Sequence, residues 1–166
     1  GIRALCSACG FFGNFHRQVA EALDIPVALS SLVQIPWIKS VIKPYQKIGI
    51  LTADASSLTD QLLKNCFIED PGLLVVKDLR HAPEFSAILE YRGQFDNGKV
   101  RDEVVGAALE LLESNEDIGA ILLECSDMPP YAYAVQRAVQ LPVFDFITLI
   151  RWLHNATTQK PYSGHI

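Results

Sequence analysis

The chain has 166 residues, of which 49% are hydrophobic and 20% are charged, and its formal net charge at pH 7 is −5. This composition is typical of a soluble globular protein, and the acidic balance without a basic run argues against a nucleic-acid partner. Polar residues interrupt every apolar stretch, so neither a membrane span nor a signal peptide is predicted and no membrane partner is expected. Four cysteines without a regular framework favour a reducing cytoplasm over secretion.

Predicted strands and helices alternate along the chain. Short apolar runs predict strands at 2–5, 27–29, 47–52, 73–76, 118–123 and 142–146. Apolar residues at helical spacing predict helices at 14–23, 32–42, 58–67, 99–113, 131–139 and 147–155. Residues 80–97 are polar and aromatic and are expected to be irregular. The alternation predicts an α/β fold with parallel sheets flanked by helices.

A polar break at 43–46 divides this pattern into two lobes. We expect residues 1–45 to form a partial first lobe and residues 46–146 a second lobe. Residues 147–166 are expected to be a C-terminal helix and tail that pack back on the first lobe. Because Ile2 already lies inside a predicted strand, the first lobe is expected to be incomplete and to lack a front segment. The sheet edge exposed in this way would favour a homo-oligomer.

Two cysteines occupy equivalent positions in the two lobes. Cys9 and Cys125 each follow a predicted strand and precede a predicted helix. Residues 2–27 and 118–143 align without gaps at an offset of 116 positions, and seven of the 26 aligned pairs are identical. The repeat predicts a strand–cysteine–helix–strand unit that is used twice, in two pseudo-symmetric lobes. Its two thiols would face each other across a cleft at the carboxyl ends of the strands.

A pair of facing thiols suits proton transfer at a carbon atom. A racemase that works by direct proton transfer needs a base on one face of the carbon and an acid on the other, and the two groups exchange roles with the direction of the reaction. Cysteine suits both roles because its ordinary pKa of about 8.5 is lowered at a helix N-terminus, where both cysteines are expected. The repeat therefore favours a racemase.

Three segments resemble the aspartate/glutamate racemase superfamily. They are Cys9-Gly10-Phe11, residues 47–53 and residues 123–132, and the last of them contains the sequence Met-Pro-Pro-Tyr-Ala. The resemblance extends from residue 2 to residue 155 and is greatest to a branch that carries this last sequence. It implies an enzyme of two similar α/β lobes that uses no cofactor and no metal. Such an enzyme acts on a small carboxylate-bearing substrate, at a carbon next to a carboxylate or carbonyl group.

The resemblance also implies the site residues. Cys9 and Cys125 would be the paired acid and base, and the substrate-binding residues would be Gly10, Phe11, Thr52, Ser126, Asp127 and Tyr131. Ser126 stands where relatives place a Thr that binds the substrate carboxylate, and Asp127 stands where they place His or Glu near the thiol. Many relatives have Asn-Thr after the first cysteine, so Gly10-Phe11 leaves only backbone donors and an aromatic wall there.

We therefore expect a cofactor-independent racemase or epimerase, an isomerase by class. One alternative is an isomerase or decarboxylase of the same superfamily that uses a single cysteine, and another is a truncated, non-catalytic binding or assembly module. Cys6 and Cys9 also form a C-x-x-C segment that would suit thiol–disulfide exchange, whereas a zinc site would lack the usual paired spacing. Helix packing is the expected role of Cys66, and His16 is expected on an exposed helix face.

Overall fold

A computed structural model describes residues 1–164 of the chain. The strands are β1 (Leu5–Cys6), β2 (Val27–Ala28), β3 (Lys47–Thr52), β4 (Leu74–Asp78), β5 (Ile118–Leu123) and β6 (Val143–Phe144). The α-helices are α1 (His16–Ala22), α2 (Ile35–Val41), α3 (Asp60–Asn65), α4 (Phe85–Leu89), α5 (Asn97–Ser114), α6 (Ala132–Val139) and α7 (Phe146–Thr157). Short 3-10 segments cover Gly10–Phe15, Ser31–Gln34, Ala55–Ser57, Pro71–Leu73 and Pro129–Tyr131.

The strands form two parallel sheets. Four of them lie in the order β4-β3-β5-β6, and β1 pairs with β2 separately. The central strands β3 and β5 are almost entirely buried and mostly apolar, because helices cover both faces of the sheet. The predicted α/β class is confirmed, and β3 and β5 have the predicted bounds. The first predicted strand is wrong in its bounds, because β1 pairs with β2 over only two residues.

Alternate residues of the central strands enter two cores on opposite faces of the larger sheet. Ile48 and Ile50 of β3 pack against Ile35 and Ile38 of α2 on one face. Leu51 points to the other face, where it packs against α5 and α6. The residues that α5 buries there recur at helical spacing and are Val100, Val104, Ala107, Ala108 and Leu111. The period of two along the strands therefore fixes which helices cover each face.

Polar side chains cap the N-termini of three helices. Thr59 caps α3, Asp96 caps α5 and Asp145 caps α7, each by accepting a hydrogen bond from a backbone N–H of the first turn. Because Asp96 accepts from the N–H of Gly98 at 2.8 Å, α5 begins earlier than predicted. No helix within residues 1–164 is both long and apolar enough to cross a membrane.

The segment 80–97, which was expected to be irregular, contains the short helix α4. Its first turn is held by Glu103 of α5, whose carboxylate accepts hydrogen bonds from the N–H groups of Glu84 at 2.8 Å and Phe85 at 2.7 Å. The Phe85 side chain is fully buried in the core beneath α5. A distant carboxylate therefore supplies the helix start that the local sequence lacks.

His16 is buried, so the prediction that it lies on an exposed helix face is wrong. Its Nδ1 atom accepts a hydrogen bond from the N–H of Leu29 at 3.4 Å. Because β2 ends at Ala28, the N–H of Leu29 needs an acceptor outside the sheet. Burial lowers the pKa of His16, and the neighbouring Arg17 cation lowers it further, so the ring is held neutral.

The C-terminal helix packs against the smaller sheet. Leu149 and Leu153 of α7 contact Ala28 of β2, and Gln34 donates a hydrogen bond to the backbone oxygen of Asp145 at 2.9 Å. The division of the chain into a first lobe of residues 1–45 and a second of 46–146 stays a prediction. Residues 165–166 of the predicted tail lie outside the described residues.

Candidate active site

The candidate site lies where the order of the larger sheet changes direction. From β3 the chain moves outward to β4 on one side, and it later returns to β5 on the other side of β3. Loops that leave the carboxyl ends of two such strands diverge, and α/β proteins bind their ligands in the crevice between them. Thr52 ends β3 here, and Glu124 and Cys125 directly follow β5.

Cys125 is a nearly buried thiol, with 8% of its surface exposed. Its S–H group donates to the Asp127 carboxylate, with 3.7 Å between Sγ and Oδ2. Burial raises the pKa of the Cys125 thiol to about 12, and the negative charge of Asp127, with that of Glu124 when it is ionised, also raises it. The expected lowering of this pKa by a helix N-terminus is wrong, because α6 begins only at Ala132 and desolvation is the larger effect.

The segment that contains Cys9 is in contact with the end of β5. Cys9 is half-buried and immediately precedes the 3-10 segment Gly10–Phe15. A Cβ atom built on Gly10 would overlap the carboxyl group of Glu124, so only glycine fits at this position without movement. The residue that follows Cys9 therefore touches the residue that precedes Cys125, and the two cysteine loops meet at one edge of the sheet.

Glu124 joins these loops to β3. Thr52 Oγ1 donates to Glu124 Oε2 at 2.8 Å, while Glu124 Oε1 is buried and has no hydrogen-bond partner within residues 1–164. Only 1% of the Glu124 surface is exposed. Burial raises the pKa of this carboxyl group to about 7, although the Thr52 hydrogen bond lowers it in part. Glu124 is thus protonated in the folded protein below about pH 7, in a range where an exposed glutamate is ionised.

The other predicted site residues differ in their burial and in their contacts. Ser126 and Asp127 are half-buried in the loop after β5, and Phe11 packs against the core beneath α2 and α3. Tyr131 is buried, and its hydroxyl donates to Asn97 Oδ1 at 2.8 Å, which links the loop after β5 to the start of α5. Their roles in substrate binding stay predictions.

Acidic side chains follow three neighbouring strands at this edge of the sheet. Asp78 ends β4, Asp54 follows β3, and Asp127 follows β5. Arg80 forms an ion pair with Asp54 at 2.7 Å, so the charge of that carboxylate is partly balanced. The remaining negative charge makes the edge more suitable for a cationic group than for a second anion.

Sequence reasoning did not identify Glu124 as a functional residue. A charged residue between an entirely apolar strand and a cysteine is unusual, because such a position continues into the buried part of the sheet. That pattern was the available signal. The contact with Gly10 and the bond to Thr52 could not be found in this way, because they join segments far apart in the chain.

The other cysteines lie in packed positions. Cys66 is fully buried beside Gly13, with Sγ 2.5 Å from the Cβ position of that glycine, which confirms its predicted packing role. Cys6 is half-buried in β1, and burial raises the pKa of its thiol. All four cysteines are free thiols, and no group of metal-ligating side chains occurs within residues 1–164.

The chain is similar in sequence to lyases over almost its whole length. It is 33% identical over 172 residues to dimethylsulfoniopropionate lyase 7 of Emiliania huxleyi, covering 99% of this chain and 50% of that protein. It is 32% identical over 168 residues to a dimethylsulfoniopropionate lyase of Durusdinium sp. clade D, covering 99% of this chain and 56% of that protein. The chain thus spans about half the length of these curated relatives. No protein-family model matches the chain.

The fold is that of several racemases and a decarboxylase. The allantoin racemase of Pseudomonas fluorescens superposes with a TM-score of 0.63 at 16% identity, over 100% of this chain and 71% of that one. A mutant of arylmalonate decarboxylase superposes with a TM-score of 0.60 at 17% identity, over 99% of this chain and 73% of that one. A glutamate racemase of Bacillus anthracis superposes with a TM-score of 0.54 at 21% identity, over 91% of this chain and 59% of that one. These folds fit the superfamily that the sequence resembles.

These comparisons overturn the expected reaction. The prediction of a racemase or epimerase, an isomerase with two cysteines in proton transfer, is wrong, because the relatives that match 99% of the chain are named as lyases. The racemases share the fold with this chain at identities of 21% or less, and such a likeness does not extend to the reaction. The alternative of a single-cysteine isomerase or decarboxylase of the same superfamily agrees better with these relatives, because a decarboxylase is itself a lyase.

Proposed function

We propose that this chain carries the active-site cysteines of a lyase that cleaves the carbon–sulfur bond of dimethylsulfoniopropionate. The similarity to lyases of that name over 99% of the chain is the observation that supports this function. The site supports it as well, because the substrate contains a permanently charged sulfonium group and the edge of the sheet at Asp78, Asp54 and Asp127 is acidic. The substrate is also a small carboxylate, as the sequence resemblance implies.

The reaction needs one base. Removal of a proton from the carbon next to the carboxylate forms a carbon–carbon double bond, and the electron pair of the carbon–sulfur bond leaves with sulfur. The products are acrylate, dimethyl sulfide and one proton. Dimethylsulfoniopropionate has no stereocentre, so a second acid on the opposite face of the carbon, which a racemase requires, has no role here.

Cys125 is the base in this proposal. Its thiol is neutral at rest, because burial and the charge of Asp127 raise its pKa to about 12. A sulfonium group that enters beside the thiol brings a fixed positive charge, which favours the thiolate. The thiol proton leaves to water, and Asp127, which accepts a hydrogen bond from the thiol at 3.7 Å, keeps Cys125 neutral until the substrate arrives. The thiolate then takes the proton from the substrate carbon, which restores the neutral thiol.

The substrate carboxylate binds at the opposite end of the cleft. Ser126 provides a hydroxyl donor next to Cys125, and the backbone N–H groups of Gly10 and Phe11 provide donors on the facing loop. Cys9 directly precedes these two donors in the chain, and in this proposal it orients the substrate without taking its proton. In this arrangement one cysteine is essential for the chemistry and the other for binding.

The test is the release of dimethyl sulfide from dimethylsulfoniopropionate, measured by gas chromatography on the protein that contains this chain. We expect Cys125→Ser to lower kcat at least about 100-fold, the usual contribution of a general base, and Cys9→Ser to raise KM more than it lowers kcat. Cys6→Ser is the matched control and keeps the rate, because Cys6 lies in β1 beneath α7. The absence of dimethyl sulfide with the wild-type protein, or a fully active Cys125→Ser variant, would contradict the proposal.

Three further features are proposed on indirect support. The fold and the sequence resemblance support membership of the aspartate/glutamate racemase superfamily, in the branch with the Met-Pro-Pro-Tyr-Ala sequence, and an enzyme that needs no cofactor. The four cysteines and the acidic composition support a cytoplasmic location. The small two-stranded sheet of β1 and β2 supports a homo-oligomer, because an unpaired strand favours association.

A further inference from the structure

We infer that Glu124 is a positioning residue, whose buried carboxyl group holds the Cys9 loop at a fixed spacing from the Cys125 loop. This inference rests on the proposed function in so far as the spacing serves catalysis. Its structural part, the dependence of the Cys9 loop on the protonation of Glu124, can be tested without substrate.

The contacts of Glu124 join three segments that lie far apart in the sequence. Its Oε2 atom accepts from Thr52 at the end of β3, and its Oε1 atom occupies the space that a side chain at Gly10 would need. Its own backbone is fixed, because its N–H donates to the Leu51 oxygen at 2.8 Å and its carbonyl accepts from Ser31 Oγ at 3.4 Å. Hydrogen bonds thus fix both the backbone and the carboxyl group of Glu124, and the carboxyl group sets the distance to Gly10.

Burial keeps Glu124 away from the substrate. Its Oε1 atom has no exposed surface and no hydrogen-bond partner within residues 1–164, so a ligand in the crevice does not reach it. Glu124 therefore acts through Gly10 and Cys125, the residues on either side of the crevice. A misplacement of about 1 Å between reacting groups costs about 100-fold in rate, which makes such a spacer important.

The groups that face Glu124 carry no positive charge. They are the Thr52 hydroxyl, the thiols of Cys66 and Cys125, and the Gly10 backbone. The Thr52 hydroxyl favours the ionised form, but burial outweighs it. No cation forms an ion pair with Glu124 within residues 1–164. An ionised carboxylate in this place would lack a partner for one oxygen, and its charge would oppose any thiolate at Cys125. Ionisation therefore draws the carboxylate toward water and displaces Gly10.

The first experiment follows the Gly10 amide signal by nuclear magnetic resonance between about pH 5 and about pH 9, a range that spans the Glu124 titration. We expect the signal to titrate with a midpoint near 7, the pKa that burial gives to Glu124. Glu124→Gln keeps the shape and the Thr52 bond but cannot ionise, so its signal should stay at the low-pH position. A wild-type signal without this transition, or an unchanged transition in Glu124→Gln, would overturn the inference.

Thr52 offers an independent check on the same signal. Its hydrogen bond lowers the pKa of Glu124, so Thr52→Val should move the midpoint to higher pH, whereas Thr52→Ser keeps the donor and should restore it. Glu124→Ala removes the spacer and should broaden or shift the Gly10 signal at every pH. A midpoint that is the same in Thr52→Val as in the wild type would assign the transition to another group and overturn the inference.

The catalytic part is tested by the pH profile of dimethyl sulfide release. The wild-type kcat should fall as pH rises through about 7, whereas Glu124→Gln should keep its low-pH kcat and lose this fall. Glu124→Ala should have a kcat about 100-fold lower than the wild type at all pH values. A Glu124→Gln profile identical to the wild-type profile would overturn the catalytic part. A protein that releases no dimethyl sulfide but shows the Gly10 transition would contradict the proposed function alone.

Discussion

Gly10 and Glu124 are in direct contact, with the Glu124 carboxyl group in the space that a side chain on Gly10 would fill. Each of these residues is a sequence neighbour of one of the two repeated cysteines, Cys9 and Cys125. Their contact brings the two cysteine loops together at the edge where β3 and β5 end. It also makes the geometry of the candidate site depend on a glycine and on the charge of a buried acid.

Gly10→Ala should destabilise the protein. The Gly10 backbone does not lie in the left-handed region, so the effect is steric: the new methyl group meets the Glu124 carboxyl group. We expect the free energy of unfolding to fall by about 1–3 kcal/mol, the usual cost of overpacking a buried site. Urea unfolding followed by circular dichroism measures this change.

Gly106→Ala is the matched control for that variant. Gly106 lies inside α5, and a Cβ atom there meets nothing within 4 Å. Alanine is the better helix former, so the free energy of unfolding of this variant should rise by about 0.5–1 kcal/mol. Equal effects of the two substitutions would contradict the close contact of Gly10 with Glu124.

Stability should depend on pH through Glu124. Its pKa is raised from 4.5 in the unfolded chain to about 7 in the folded protein, so between these values the folded state binds a proton that the unfolded state lacks. The contribution of Glu124 to the free energy of unfolding is complete below about pH 4.5 and is lost as pH rises through about 7. It amounts to about 3 kcal/mol for such a shift. Urea unfolding at a series of pH values should show this loss in the wild type, and Glu124→Gln should remove it.

Asp127→Asn should make Cys125 more reactive. The charge of Asp127 and its contact with the thiol both raise the pKa of Cys125, whereas the backbone N–H of residue 127, which lowers it, is kept in the variant. We expect alkylation of Cys125 by iodoacetamide, followed by mass spectrometry, to accelerate by about tenfold for each unit by which the pKa falls. The exposed Asp24→Asn serves as control and should leave the rate unchanged. A slower reaction in Asp127→Asn would show that Asp127 favours the thiolate.

Tyr131→Phe should loosen the junction between the loop after β5 and the start of α5. The variant loses the hydrogen bond from the Tyr131 hydroxyl to Asn97 and leaves a part-buried amide oxygen with one donor fewer. We expect a loss of about 1 kcal/mol in the free energy of unfolding. Tyr133→Phe is the control, because the Tyr133 side chain is 76% exposed and should contribute almost nothing. Equal losses in both variants would argue against the Tyr131–Asn97 bond.

The sequence alone determined the central part of the fold. β3 and β5 were predicted with their observed bounds, because strands buried on both faces are apolar in their central part and polar residues mark their ends. The long helix α5 was predicted from its spacing to within two residues at either end. The repeat also identified Cys9 and Cys125 as the ends of comparable strand–helix units. Such features depend on local patterns that each segment carries by itself.

Only the tertiary structure decided which side chains meet and in which charge state. The helix pattern predicted that His16 is exposed, yet it is buried and accepts a hydrogen bond from the N–H of Leu29. Cys125 was expected to have a lowered pKa, yet desolvation raises it. Glu124 acquires its partners from Thr52 and Gly10, which are far from it in the sequence. Burial and long-range contacts set these properties, because a pKa depends on what surrounds a group in space and not on its neighbours in the chain.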